Sequence, residues 1–150
     1  MNIRKVFFGI CLTLICAGCV TALSPLQRRT IEARDLEGTF DDAFKATLQV
    51  FQDFGYIVKS SDYQSGVIQG ETGYKKNIFF GTMTNVEITA TIEQFGAGRV
   101  KERISLVKKV KSPSEQGILE DSRIVDDPEL FQRMYEAIQK EMFIRQNLAR

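Results

Sequence analysis

The side chains that could perform acid–base chemistry are two pairs of neighbouring aspartates, Asp41/Asp42 and Asp126/Asp127. Each pair lies where a helix is predicted to begin, and carboxylates there accept hydrogen bonds from free N–H groups and favour the helix dipole. The chain has no histidine, so its serines lack the commonest general base, and no motif supports a serine–lysine pair. The sequence therefore predicts no catalytic residue, no metal site and no cofactor.

The thiols are confined to the first nineteen residues, at Cys11, Cys16 and Cys19. No disulfide framework or thiolate metal site can therefore form in the rest of the chain. Arg4 and Lys5 precede an apolar run over residues 6–16, which is shorter than the ~20 residues of a membrane-spanning helix. Small residues follow at Ala17-Gly18. This order is typical of a secretory signal peptide over residues 1–18.

The segment Ala17-Gly18-Cys19 resembles the lipobox of bacterial lipoproteins. The resemblance implies cleavage before Cys19, thioether lipidation of its thiol and a product with three acyl chains, which suffice for stable anchoring. Cys16 departs from the pattern, which usually carries Leu at that position. Val20 is not the Asp that keeps members of this class at the inner membrane, so the resemblance implies an outer-membrane location on the periplasmic face. A plain signal anchor, or a cleaved signal with an incidental Cys, stays open as an alternative.

The composition sets further limits. Cleavage before Cys19 would leave 132 residues with 18 basic and 19 acidic side chains, a length typical of one domain. This balance gives no general attraction to nucleic acid, which we do not expect as a partner. Residues 19–29 have no clear hydrophobic period and are predicted to be a short lipidated tether. Residues 30–150 are predicted to form a single α+β domain, with its first strand over residues 28–37.

Two helices are predicted from their caps and their apolar spacing. Thr39 is a good N-cap with Asp42 three residues later, and Gly55 fits the left-handed position that ends a helix. Asp127-Pro128 is the usual opening of a second helix. Residues on one face of each helix are predicted to be buried: Phe40, Ala43, Phe44, Thr47, Leu48, Phe51 and Phe54 in the first, and Phe131, Met134, Tyr135, Ile138 and Met142 in the second. Phe143 and Ile144 lie off the second stripe, so a bend of that helix, its end or a contact with something else is expected there.

Alternation predicts two hairpins. Residues 56–59 and 67–71 form the first, and residues 84–95 and 100–110 the second. With Ala97 at the centre of the second turn, Ala90 faces Ile104, Ile88 faces Leu106, and Glu93 faces Lys101. Glu102 and Lys108 are charged but occupy positions that alternation would turn toward the core. A strand end or a bulge there could accommodate them. Residues 118–125 are expected to add a short edge strand.

These elements predict an α+β fold with two layers: a largely antiparallel sheet with both helices on one face, in the order β-α-β-β-β-β-(β)-α. This order resembles the helix-grip domains in the C subunit of the outer-membrane β-barrel assembly machinery, itself a lipoprotein. The segment Asp53-Phe54-Gly55-Tyr56-Ile57-Val58 is also similar to one found in a group of small bacterial lipoproteins. Neither resemblance implies an activity for this chain.

Residues 74–81 have no clean period and hold the apolar cluster Ile78, Phe79 and Phe80. An exposed cluster of this kind marks a partner or membrane contact, whereas the alternative is that the three side chains fold back and cap the core. The main functional hypothesis is a lipid-anchored, non-enzymatic interaction or assembly-accessory module of the cell envelope, with an envelope protein as partner. The alternative is a binding protein for an apolar small molecule, which requires a cavity beneath the last helix.

Overall fold

The computed structural model describes residues 23–148, which form three helices and seven strands. Cys19 and the predicted signal peptide lie outside the described residues. The elements in chain order are α1 (Pro25–Glu32), β1 (Ala33–Glu37), α2 (Phe40–Asp53), β2 (Ile57–Asp62), β3 (Val67–Glu71), β4 (Lys75–Lys76), β5 (Met83–Gln94), β6 (Arg99–Ser114), β7 (Gly117–Ile124) and α3 (Pro128–Leu148).

The seven strands form one antiparallel sheet with the β5–β6 hairpin at its centre. Its main path is β1-β6-β5-β3-β2, while β4 pairs with β5 and β7 pairs with β6. The core lies between one face of this sheet and the helices α2 and α3, and it is a single cluster of buried apolar side chains. The predicted α+β fold with two layers and two helices on one face is confirmed.

The β5–β6 register matches the predicted one. Ala90 pairs with Ile104 and Ile88 pairs with Leu106, and all four side chains are buried beneath the helices. Pairing runs without a shift along β5, so no bulge accommodates the two charged residues of inward parity. Glu102 is fully buried, whereas Lys108 is exposed because the helices do not reach that part of β6. Both alternatives offered by the sequence, a strand end and a bulge, are wrong.

Helix α2 begins and ends as its sequence predicts. The Thr39 hydroxyl accepts a hydrogen bond from the backbone N–H of Asp42 at 3.1 Å. Gly55, with φ of 83°, follows the last helical turn. The predicted stripe is buried or half-buried, and the helix additionally buries Ala46 and Val50. A wider apolar face results, because α2 packs against both the sheet and α3.

Helix α1 contradicts the sequence-based assignment of this region, which placed a tether at residues 19–29 and a strand from Arg28 onward. The Ser24 hydroxyl accepts from Gln27 N–H while the Gln27 side chain accepts from Ser24 N–H, and Pro25 follows at the first helical position. This capping box starts a helix, and the strand begins only at Ala33. The Arg28 guanidinium binds the Asp126 carboxylate through two hydrogen bonds of 2.6 and 2.8 Å, which fixes α1 against the start of α3.

Helix α3 buries all five residues of its predicted stripe. It continues as one helix to Leu148, so the end expected near Phe143 is not found, and Phe143 is 67% exposed. The Tyr135 hydroxyl donates to the carbonyl of Glu32 at 2.5 Å and accepts from the N–H of Ile104 at 3.2 Å. One phenol therefore connects α3, the end of α1 and the central strand β6.

The buried carboxyl of Glu102 is the main polar group of the core. Its Oε1 lies 2.8 Å from the Thr47 hydroxyl, and its Oε2 has no hydrogen-bond partner among the described residues. Burial raises the pKa of Glu102 to about 8, and the contact with Thr47 opposes this only in part. The Thr47 hydroxyl also lies 2.8 Å from the carbonyl of Ala43. Since a hydroxyl has a single proton, both contacts are hydrogen bonds only if Glu102 is protonated and donates to Thr47.

We expect Glu102→Gln to remove a pH-dependent loss of stability. The carboxyl is neutral in the folded protein, so the wild-type free energy of unfolding should fall as pH rises from about 4.5 through about 8. The variant lacks this loss, and its advantage should reach several kcal/mol at the upper end, since one pKa unit is worth about 1.4 kcal/mol. Urea unfolding of both proteins across this range measures the difference.

Glu93→Gln is the matched control, because Glu93 lies exposed on the opposite face of the same hairpin. This control should keep the wild-type pH profile. Parallel stability profiles for wild type and Glu102→Gln would show that Glu102 is not held neutral.

Candidate functional site

The β5–β6 hairpin extends well beyond the two helices that cover it. Leu106 is the last fully buried residue of β6, and eight more residues continue the strand to Ser114. At about 3.3 Å per residue this extension is roughly 26 Å long. Strand β7 lines it along its whole length, and every residue of β7 is exposed. We call the extension, formed by residues 74–87 and 107–124, the arm.

The end of the arm is a turn that presents its apolar side chains outward. The Asn77 side-chain oxygen accepts from the N–H groups of Phe79 and Phe80 at 3.0 and 3.4 Å. The Asn77 backbone closes the turn by bonding to Gly81 and Thr82. Gly81 has φ of 65°, and a Cβ added there would lie 3.4 Å from the ring of Pro113 on β6. Local hydrogen bonds therefore hold the turn in place, and its apolar side chains contribute little to holding it.

Ile78, Phe79 and Phe80 form the tip of the arm and are 89%, 94% and 74% exposed. The alternative in which they fold back to cap the core is therefore wrong. Ile118 and Leu119, also largely exposed, lie at the neighbouring β6–β7 turn. Both turns stand at the same end of the sheet, since β5 begins where β6 ends. An exposed apolar surface of this kind on a small domain indicates a contact with another molecule.

The arm that carries the apolar tip has a net positive charge. The arm carries six basic and four acidic side chains, a net charge of +2, whereas the rest of the described chain carries eleven basic and fifteen acidic ones. Lys109 and Lys111 pair with Glu87 and Glu120. Lys75 and Lys76, directly before the tip, are exposed and take part in no ion pair within residues 23–148. The three large apolar side chains of the tip are therefore preceded directly by two ammonium groups that form no ion pair within the described residues.

The acidic pairs suggested by the sequence are used for structure and do not converge. Asp41 pairs with Lys45 one turn along α2, and the Asp127 carboxylate accepts from Leu130 N–H at the start of α3. Asp126 binds Arg28, and this hydrogen-bonded guanidinium lowers the pKa of the Asp126 carboxyl. Within residues 23–148 no group of three or more acidic, Cys or His side chains is arranged to hold a metal ion.

The space beneath α3, where a bound apolar molecule would lie, is filled by side chains. Phe131, Met134 and Ile138 are at most 1% exposed and belong to the same cluster as the inward residues of β5 and β6. A groove of about 590 Å³ lies instead at the junction of α1 with the opposite face of the sheet, and polar and charged residues dominate its walls: Arg29, Ala33, Thr91, Glu93, Lys101 and Arg103. Neither feature favours the small-molecule binding hypothesis.

Among the described helices, none is both long and apolar enough to cross a membrane. No protein-family model and no curated protein sequence matches this chain. The resemblances to the helix-grip domains and to small lipoproteins therefore stay predictions.

We expect the tip to be dispensable for folding. Phe79→Ala should change the free energy of unfolding by no more than about 0.5 kcal/mol, because the side chain is 94% exposed. Phe51→Ala, the matched core substitution at a fully buried ring, should cost about 3–5 kcal/mol. Chemical denaturation of both variants makes the comparison, and a large loss of stability in Phe79→Ala would assign the tip a structural role.

Proposed function

We propose that the protein is a lipid-anchored, non-enzymatic interaction module of the bacterial cell envelope. The observation that carries this proposal is the arm, whose apolar tip is exposed and contributes no buried side chain to the core. A domain that keeps Ile78, Phe79 and Phe80 in water loses the stabilisation that their burial would provide. A binding partner that covers them accounts for this cost.

A non-enzymatic role is supported by what the acidic side chains do. The aspartates at the helix starts are engaged in ion pairs or caps. The one carboxyl of residues 23–148 with a strongly shifted pKa, Glu102, is fully buried between α2 and the sheet, where no substrate can reach it. A perturbed acid in a cleft suggests catalysis, whereas one in a closed core is a structural group.

The membrane location rests on the lipobox resemblance at Ala17-Gly18-Cys19. Lipid on Cys19 would hold the domain close to the bilayer, since only residues 20–22 separate Cys19 from the described domain. Val20 favours the periplasmic face of the outer membrane over the inner membrane. Partners that are themselves in the membrane would then meet the arm at a high effective concentration.

Cys19→Ser should abolish lipidation. Wild-type protein should lack residues 1–18 and incorporate a palmitate label, whereas the variant should keep residues 1–18 and incorporate none. Mass spectrometry of the purified proteins, together with metabolic labelling, measures both. An identical mass change in the two proteins would contradict the anchor.

A photo-crosslinking residue at Leu119 on β7 should trap a discrete envelope protein in living cells, because this side chain is 64% exposed on the arm. The same residue at Lys140, exposed on α3, is the matched control and should not trap it. Cys19→Ser should suppress the adduct at Leu119, since the domain would no longer be anchored in the same way. Equal adducts from both positions would exclude the arm as the contact surface.

A further inference from the structure

We infer that the tip of the arm is a second membrane contact, in which Ile78, Phe79 and Phe80 enter an anionic phospholipid bilayer and Lys75 and Lys76 bind its headgroups. This inference rests on the proposed function for the anchor and names the partner of the tip. The protein partner proposed above would use the side of the arm along β7.

The shape of the tip suits entry into a bilayer. Three consecutive large apolar side chains project from a turn, and the backbone N–H groups of Asn77, Phe79, Phe80 and Gly81 donate to partners within the turn. Backbone groups that enter the membrane interface must keep their hydrogen bonds, because lipid offers few partners. The depth required is small, since apolar groups at an interface lie about 5–10 Å into the headgroup and acyl boundary.

The charges next to the tip select an anionic surface. Lys75 and Lys76 pair in register with Thr84 and Met83, so they flank the turn on its first strand. The arm has a net charge of +2 while the remaining described residues have a net charge of −4. Anionic lipid therefore attracts the arm and repels the rest of the domain, which orients the molecule with its tip toward the membrane.

The position of the N-terminus is compatible with both contacts. Strand β7 runs from the tip end of the sheet back to Ile124, and Arg28 of α1 binds Asp126 two residues later. The path along β7 is roughly 26 Å, while the four peptide links from Cys19 to Leu23 reach at most about 14 Å. An anchored domain with an inserted tip must therefore lean, so that the arm lies obliquely on the bilayer and does not stand upright.

The absence of tryptophan from the sequence allows a direct test. Phe79→Trp places a single indole at the tip, and Phe95→Trp places one at the opposite turn of the same hairpin, where Phe95 is 54% exposed. Each intact lipoprotein is reconstituted into vesicles of phosphatidylglycerol and phosphatidylethanolamine that contain brominated acyl chains. Insertion predicts roughly threefold or greater quenching of the indole at position 79 relative to position 95, given the shallow depth of such contacts.

Charge is tested in the Phe79→Trp background. Lys75→Gln with Lys76→Gln should lower the ratio of inserted to free tip by about 25-fold, taking about fivefold for each lysine near an anionic surface. Vesicles of phosphatidylcholine alone should also reduce quenching. Equal quenching at positions 79 and 95, or quenching that is independent of lipid charge, would overturn the inference.

The two proposals fail in different ways. A lipoprotein that carries its acyl chains but keeps the indole at position 79 in water overturns the membrane contact and leaves the anchor intact. A chain that lacks lipid on Cys19 but still shows quenching at position 79 overturns the anchor and leaves the membrane contact intact. A tip that crosslinks to a protein and gives no lipid quenching assigns position 79 to the protein partner and overturns the membrane contact.

Discussion

The continuous pairing of β5 with β6 is the constraint on which the rest of the molecule depends. The two strands stay in one register from Gln94 opposite Val100 to Met83 opposite Lys111. Near the turn at Phe95, the inward-facing residues of β5 and β6 form the sheet side of the core. Farther along, the same two strands extend beyond the helices, where β5 pairs with β4 and β6 pairs with β7. A bulge at Glu102 would have reversed the faces of every residue beyond it, so the continuous register places an acid in the core.

That acid is tolerated because the core supplies a way to keep it neutral. Thr47 of α2 lies 2.8 Å from Glu102, and its hydroxyl can accept a hydrogen bond from the neutral carboxyl while it donates to the carbonyl of Ala43 in its own helix. A neutral, hydrogen-bonded carboxyl costs far less than a buried charge. The contact also favours one position of α2 along β6, because in another register the Glu102 carboxyl would lose this hydrogen bond with Thr47. The Tyr135 hydroxyl does the same for α3, since it reaches Ile104 on β6 and Glu32 at the end of α1.

Local sequence signals predicted much of this fold, and their failures have physical causes. The caps of α2 and α3 and the register of β5–β6 followed from short-range patterns that tertiary packing reinforced. Helix α1 was missed although Ser24-Pro25-Leu26-Gln27 carries a capping box, because its apolar face is weak and an ion pair holds it. The exposure of Ile78 to Phe80 was not predictable from composition, since a core would accept the same residues. Whether these three side chains are exposed or buried depends on how far β6 extends beyond Leu106.

The two proposed membrane contacts would contribute different things. Three acyl chains on Cys19 would already bind a bilayer strongly, so a tip with three apolar residues would add little to attachment. Once the anchor is in place, however, entry of the tip is an intramolecular step, and even a weak contact is populated. Two points of attachment fix the orientation of the domain relative to the bilayer, whereas a single point lets the domain rotate on its tether. The side of the arm along β7 would then be held at a constant angle to the bilayer, which favours binding to one face of a membrane-embedded partner.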